Sequence, residues 1–101
     1  MEHKKRKARK ALYAGNVPVG ASEIAATPQV RLFNMPSSTT RYVNIKLVFN
    51  APRRKANFWL AWDRDNQRLV NSKEAQALQI NEPSIMSWIM GHLPTVFGPL
   101  P

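Results

Sequence analysis

At 101 residues with 44% hydrophobic side chains, the chain has material for one small domain and is too apolar to be disordered throughout. Fifteen Lys and Arg against six Asp and Glu give a net charge of +9, which favours polyanionic partners. The absence of cysteine excludes disulfides, thiolate catalysis and Cys-ligated zinc or iron–sulfur sites.

The first ten residues hold six basic side chains, Lys4, Lys5, Arg6, Lys7, Arg9 and Lys10, beside the single acid Glu2. A block of like charge repels itself, so a disordered basic arm is expected here. The segment from Ala11 to Gly20 is interrupted by Asn16 and Pro18, which argues against a signal peptide. No apolar run approaches the roughly 20 residues that span a bilayer. The expected home is cytoplasmic, or nuclear in a eukaryote, where Lys4 to Lys7 also fits a basic localisation signal. Gly, Pro, Ser and Thr between Asn16 and Pro28 read as a linker, with at most a helical turn at Ser22–Ala26.

Strand signals follow. Gln29–Asn34 is a short candidate. Arg41–Asn50 alternates cleanly, with Val43, Ile45, Leu47 and Phe49 on one face and Tyr42, Asn44, Lys46 and Val48 on the other. Pro52, which lacks a ladder donor, places the basic segment Arg53, Arg54, Lys55 in a connector. Asn57–Trp62 reads as a strand with Phe58, Leu60 and Trp62 on one face and Trp59 opposite. Asp63-Arg-Asp-Asn66 has turn chemistry, and Gln67–Val70 returns as a further short strand.

After Val70 the period becomes helical. Asn71 or Ser72 supplies an N-cap, and Asn71 has capping-box spacing to Glu74. Ala75, Leu78 and Ile80 are expected to face the sheet. A second helix starts around Pro83, carries Ile85, Trp88, Ile89 and Leu93 at helical spacing, and is expected to end at Gly91 and Pro94. The fold class is therefore α+β: a small antiparallel sheet of three to four strands followed by two short C-terminal helices. The chain divides into a disordered arm and linker (1–28), the α+β domain (29–94) and a C-terminal tail (95–101).

No Ser/His/Asp trio, metal-ligand spacing or Gly-rich phosphate loop is present, so no enzyme, cofactor or small-molecule substrate is expected. Asp63, Asp65 and Glu74 fall on the first, third and twelfth positions of a calcium-loop pattern. The pattern breaks at Gln67 and at Arg68, where glycine is required, and a turn running into a capped helix explains the same residues.

Two features point to function. The arm and the Arg53-Arg54-Lys55 connector supply cations for phosphates. Trp59, with Tyr42 and Lys46 on the same face, offers rings on which bases stack, a pattern that favours single strands over duplex. The expected function is thus a non-enzymatic nucleic-acid-binding accessory protein. Its size and basic arm suit a phage, plasmid or other mobile element. The competing expectation is a protein–protein adaptor or inhibitor that docks, or dimerises, through Met86, Trp88 and Met90. A structural component of a ribonucleoprotein or virion is the third.

Overall fold

The computed structural model describes residues 17–70 and 72–101. It holds five strands, β1 (Ser22–Ala26), β2 (Val30–Asn34), β3 (Tyr42–Phe49), β4 (Asn57–Asp63) and β5 (Arg68–Leu69). Two helices follow, α1 (Lys73–Asn81) and α2 (Pro83–Val96). The strands form one antiparallel sheet in the order β1-β2-β3-β4-β5, so each lies beside its neighbour in sequence. The α+β class and the order of sheet then helices are as expected, with the edge strand β1 taking the sheet from the expected three to four strands to five. The basic arm lies outside the described residues.

β1 is a correction. Ser22–Ala26 is not a helical turn in a linker but an edge strand paired with β2, from Ser22 opposite Asn34 to Ala26 opposite Arg31. The pairing slips by one residue between Glu23 and Ala25, a bulge that interrupts alternation and hides the strand from a period-2 test. Ile24, at the bulge, packs against the core. The ordered sheet therefore begins before residue 29.

The core lies on the face predicted from strand parity. Val30, Leu32, Val43, Ile45, Leu47, Phe49, Leu60 and Trp62 form one buried cluster with Leu78, Met86, Ile89 and Leu93 from the helices. Each buried aliphatic or aromatic side chain contributes about 1.5–3 kcal/mol before chain entropy opposes it.

Ser72 is the N-cap of α1, its hydroxyl accepting from the Ala75 amide at 3.1 Å. Leu78 is fully buried and Ala75 packs beside it, but Ile80 is 77% exposed. Two residues past Leu78 is about 200° around a helix of 3.6 residues per turn, so Ile80 points away from the sheet. α2 begins with Pro83 in its first turn, where the missing N–H has no helical partner to lose.

α2 does not stop at Gly91 or Pro94 but runs on to Val96. Leu93 is anchored in the core, and its carbonyl accepts from the Phe97 amide at 2.8 Å. The carbonyl that Pro94 leaves without a helical donor belongs to Met90, on the exposed side, where water can satisfy it.

The residues after α2 are held too. The Trp62 indole N–H donates to the Phe97 carbonyl at 3.0 Å, and Gln67 Nε2 donates to the same oxygen at 3.1 Å. Arg64 Nε donates to the Gly98 carbonyl at 3.2 Å. The end of the chain is thereby tied to β4 and the β4–β5 turn. No helix among the described residues is long and apolar enough to cross a membrane.

Candidate nucleic-acid interface

The helices cover one face of the sheet. Strand parity and register map the other face as rows running across β2, β3, β4 and β5. At one end Tyr42, Asp63 and Arg68 lie side by side. Next come Asn44 and Ala61, with Val70 at the edge, its amide donating to the Ala61 carbonyl at 2.7 Å. The third row is Phe33, Lys46 and Trp59, and the fourth Arg31, Val48 and Asn57.

Trp59 is 47% exposed and Tyr42 40% exposed, values that separate them from Trp62 in the core. The placement of Trp59 follows from parity alone: Phe58 and Leu60 turn to the helices, so the residue between them turns away. Each of the two rings carries a cation. Lys46 Nζ is 4.9 Å from the Trp59 centroid, and the Arg41 guanidinium is 5.0 Å from that of Tyr42.

Lys46 itself is only 6% exposed. Its register neighbours are rings on both sides, Phe33 on β2 and Trp59 on β4, so its aliphatic stem has apolar surface to lie on. Phe33 is 2% exposed on this same face, with the Arg31 guanidinium 5.0 Å from its centroid and Arg31 ion-paired to Glu23. Lys46 thus presents little surface for a phosphate, in contrast with the accessible role expected of it.

The remaining predicted residues separate into groups. Lys4, Lys5, Arg6, Lys7, Arg9 and Lys10 lie outside the described residues. Arg53 and Lys55 are exposed in the β3–β4 connector. Arg54 is turned towards the helix side: it stacks 3.8 Å from the Phe49 centroid and forms an ion pair with Glu82, the residue between the two helices. The connector therefore does not act as one cationic patch beside Trp59. Met86 is buried in the core, Trp88 is half-buried with an edge contact to His92 at 5.2 Å, and Met90 is exposed. The burial of Met86 removes it from any docking surface. The other two remain at the border of the core and the outside.

Between Tyr42 and Trp59 the floor drops, because Ala61 and Asn44 are short. A cleft of about 650 Å³ is lined by Arg41, Tyr42, Asn44, Asp63, Asn66 and Arg68 among others. A smaller one of about 310 Å³ adjoins it through Asn44, Ala61 and Val70, and reaches Ser37, Trp59 and Ser72. Arg41, Arg68, Asn44 and Ala61 were not singled out by motif or charge run. The signal available was parity, which places Asn44 with Tyr42 and Ala61 with Trp59.

The polar end of the cleft is rigidly built. Asp63 Oδ1 accepts from the amides of Asp65 at 3.0 Å and Asn66 at 3.3 Å, and Oδ2 accepts from Asn66 Nδ2 at 2.8 Å. Arg41 Nε and Nη2 bond the two carboxylate oxygens at 3.2 Å each. The Arg41 bond and the Asn66 donors hold the Asp63 carboxyl down at about 2, below its ordinary 3.8, although burial opposes them. Asp63 in turn raises the Arg41 guanidinium above its ordinary value. Gln67 completes the turn at φ 53°, and its Nε2 donates to the Arg64 carbonyl at 2.8 Å, which helps to hold a left-handed backbone in a residue other than glycine. Among the described residues no group of three or more His, Asp or Glu is placed to hold a metal ion.

Comparison of the chain with protein-family models, with curated proteins and with solved structures finds no match.

Proposed function

We propose that the face of the sheet opposite the helices binds single-stranded nucleic acid. Bases stack on Trp59 and Tyr42 while Arg68, the connector cations Arg53 and Lys55 and the basic arm hold phosphates. One observation carries this reading: the two large rings of this face that stand nearly half exposed flank two adjoining clefts, with Arg68 at one end. Base stacking on an exposed ring contributes about 1–3 kcal/mol per base and tolerates any sequence, and the cations make binding steeply salt-dependent. A duplex, whose bases are already stacked, has no use for such rings.

The test is a fluorescence titration of the full chain with single-stranded and duplex oligonucleotides at two salt concentrations. Trp62 is buried and Trp88 half-buried, so a stacked base should quench chiefly Trp59. Single strands are expected to quench emission, and Trp59→Ala is expected to weaken binding about five- to thirtyfold, the lower half of the stacking range. Arg68→Ala and Arg53→Ala should each lower the salt slope without abolishing quenching. Equal binding of duplex, or full binding by Trp59→Ala, would reduce the protein to a non-specific polycation.

Docking of a protein partner on α2 has less to support it. Met86 is buried and Trp88 packs against the core, which leaves Met90 and Val96 as the large exposed apolar side chains of that helix, prolines aside.

A further inference from the structure

The cleft between the two rings has a floor of definite size and polarity, and this bears on which bases it accepts. Tyr42 and Lys46 are four residues apart on β3, and Trp59 is directly opposite Lys46. At about 3.3 Å per residue the two ring rows are about 13 Å apart. A single strand drawn out to about twice the duplex spacing of about 3.4 Å per nucleotide covers that distance with three nucleotides. The outer two bases then stack on Tyr42 and Trp59. The middle one lies over the low row of Asn44, Ala61 and Val70, which the two clefts share.

Asn44 is the polar group in that row, and its amide is oriented by the β2–β3 loop. Asn44 Nδ2 donates to the Ser37 carbonyl at 3.2 Å and to the Ser37 hydroxyl at 3.1 Å, which turns the amide nitrogen towards the loop. Its backbone N–H and carbonyl are engaged by Ser38 and Met35. What remains among the described residues is Oδ1, an acceptor with no donor facing it. A fixed acceptor with no donor beside it suits a base edge that offers an amino group. Cytosine, adenine and guanine carry one. Thymine and uracil offer one imino N–H between two carbonyl oxygens, each of which faces Oδ1 unfavourably.

Resting on the nucleic-acid reading above, we propose that the Asn44–Ala61–Val70 row is the middle subsite of a three-nucleotide register. It selects a base bearing an exocyclic amino group over thymine or uracil. A single neutral hydrogen bond sets the scale, so the preference is about threefold to tenfold. Ala61 is the position that keeps the subsite open.

The experiment uses the full chain and labelled nine-nucleotide strands of oligo-dC, oligo-dT, oligo-C and oligo-U, read by anisotropy at one salt concentration. The expected result is tighter binding of cytosine strands than of thymine or uracil strands in both the DNA and the RNA series. Asn44→Ala should bring the ratio to one. Ala61→Leu, a change at a partly exposed strand position, should weaken all four strands by filling the floor, with circular dichroism checking that both variants are folded. Tight binding of all strands with a ratio of one in the unmodified chain would overturn the subsite and leave the single-strand reading standing. A ratio that survives Asn44→Ala would also overturn it. Failure of the unmodified chain to bind any of the four would remove the single-strand reading itself.

Discussion

Trp62 is where the sheet, the β4–β5 turn and the end of the chain meet, and a double-mutant cycle can isolate that junction. Its side chain is fully buried, and its indole N–H reaches the Phe97 carbonyl at 3.0 Å. Trp62→Phe keeps a ring in place but removes the donor and leaves a void where the second ring stood. The lost hydrogen bond is worth about 0.5–1.5 kcal/mol. A residual void of roughly 40 Å³ adds about 1 kcal/mol, and the lost burial of two or so ring carbons about another. The expected destabilisation is about 2–4 kcal/mol. The second arm of the cycle ends the chain after Val96, which removes the Phe97 carbonyl together with the Gly98 carbonyl that accepts from Arg64. Urea unfolding followed by circular dichroism gives four stabilities. The part of the loss that belongs to the Trp62–Phe97 bond appears as a coupling of about 0.5–1.5 kcal/mol, since contributions that do not involve Trp62, such as the Arg64 bond, cancel. A coupling near zero, with equal m-values, would mean that the chain end is not held by Trp62 in solution.

The two apolar residues of α1 should behave oppositely. Leu78→Ala is expected to cost about 2–5 kcal/mol in the same urea assay, and Ile80→Ala within about 0.5 kcal/mol of zero, because one is in the core and the other in water. Gly91→Ala should stabilise the protein by about 0.5–1 kcal/mol, raising the urea midpoint, since a Cβ there meets nothing within 4 Å and α2 gains a better helix former. Asp63 sets an acid limit. Its folded value of about 2 lies below the ordinary 3.8, so its contribution is complete above about pH 5 and is lost as pH falls through 4 towards 2. Asp63→Asn should lower the unfolding midpoint at neutral pH and flatten its fall between about pH 4 and 2. An unchanged acid profile would mean that Arg41 and the Asn66 donors do not hold the carboxylate.

How much of this was legible depends on which rule governed each segment. β3 and β4 were readable because the helix-facing side chains recur at every second residue, and the same parity put Trp59 on the opposite face. β1 was not, because a bulge breaks the alternation and an edge strand buries little. The continuation of α2 through Gly91 and Pro94 was not, because core packing at Leu93 outweighs local helix-breaking tendencies. The expected cationic connector divides because Arg54 finds Glu82, a partner 28 residues away that no local pattern reveals. Charge counting likewise did not foresee that Lys46 lies between two rings. The cleft was invisible for a different reason. It exists where side chains are short, and motif searches look for large or reactive groups.

The order of the strands has a kinetic consequence. Each strand pairs with the one before it, so the sheet can assemble by successive hairpins, each closing a short loop at small entropic cost. Such local topologies fold on the faster side of the range for mixed domains, about milliseconds. The steps that span the chain, Trp62 to Phe97 across 35 residues and α2 against β1, are expected to come after the sheet exists. The transition state is then expected to hold β3 and β4 largely formed, with high φ-values there and low ones along α2. Changes in α2 would act mainly on the unfolding rate, while changes in the central hairpin would slow folding itself.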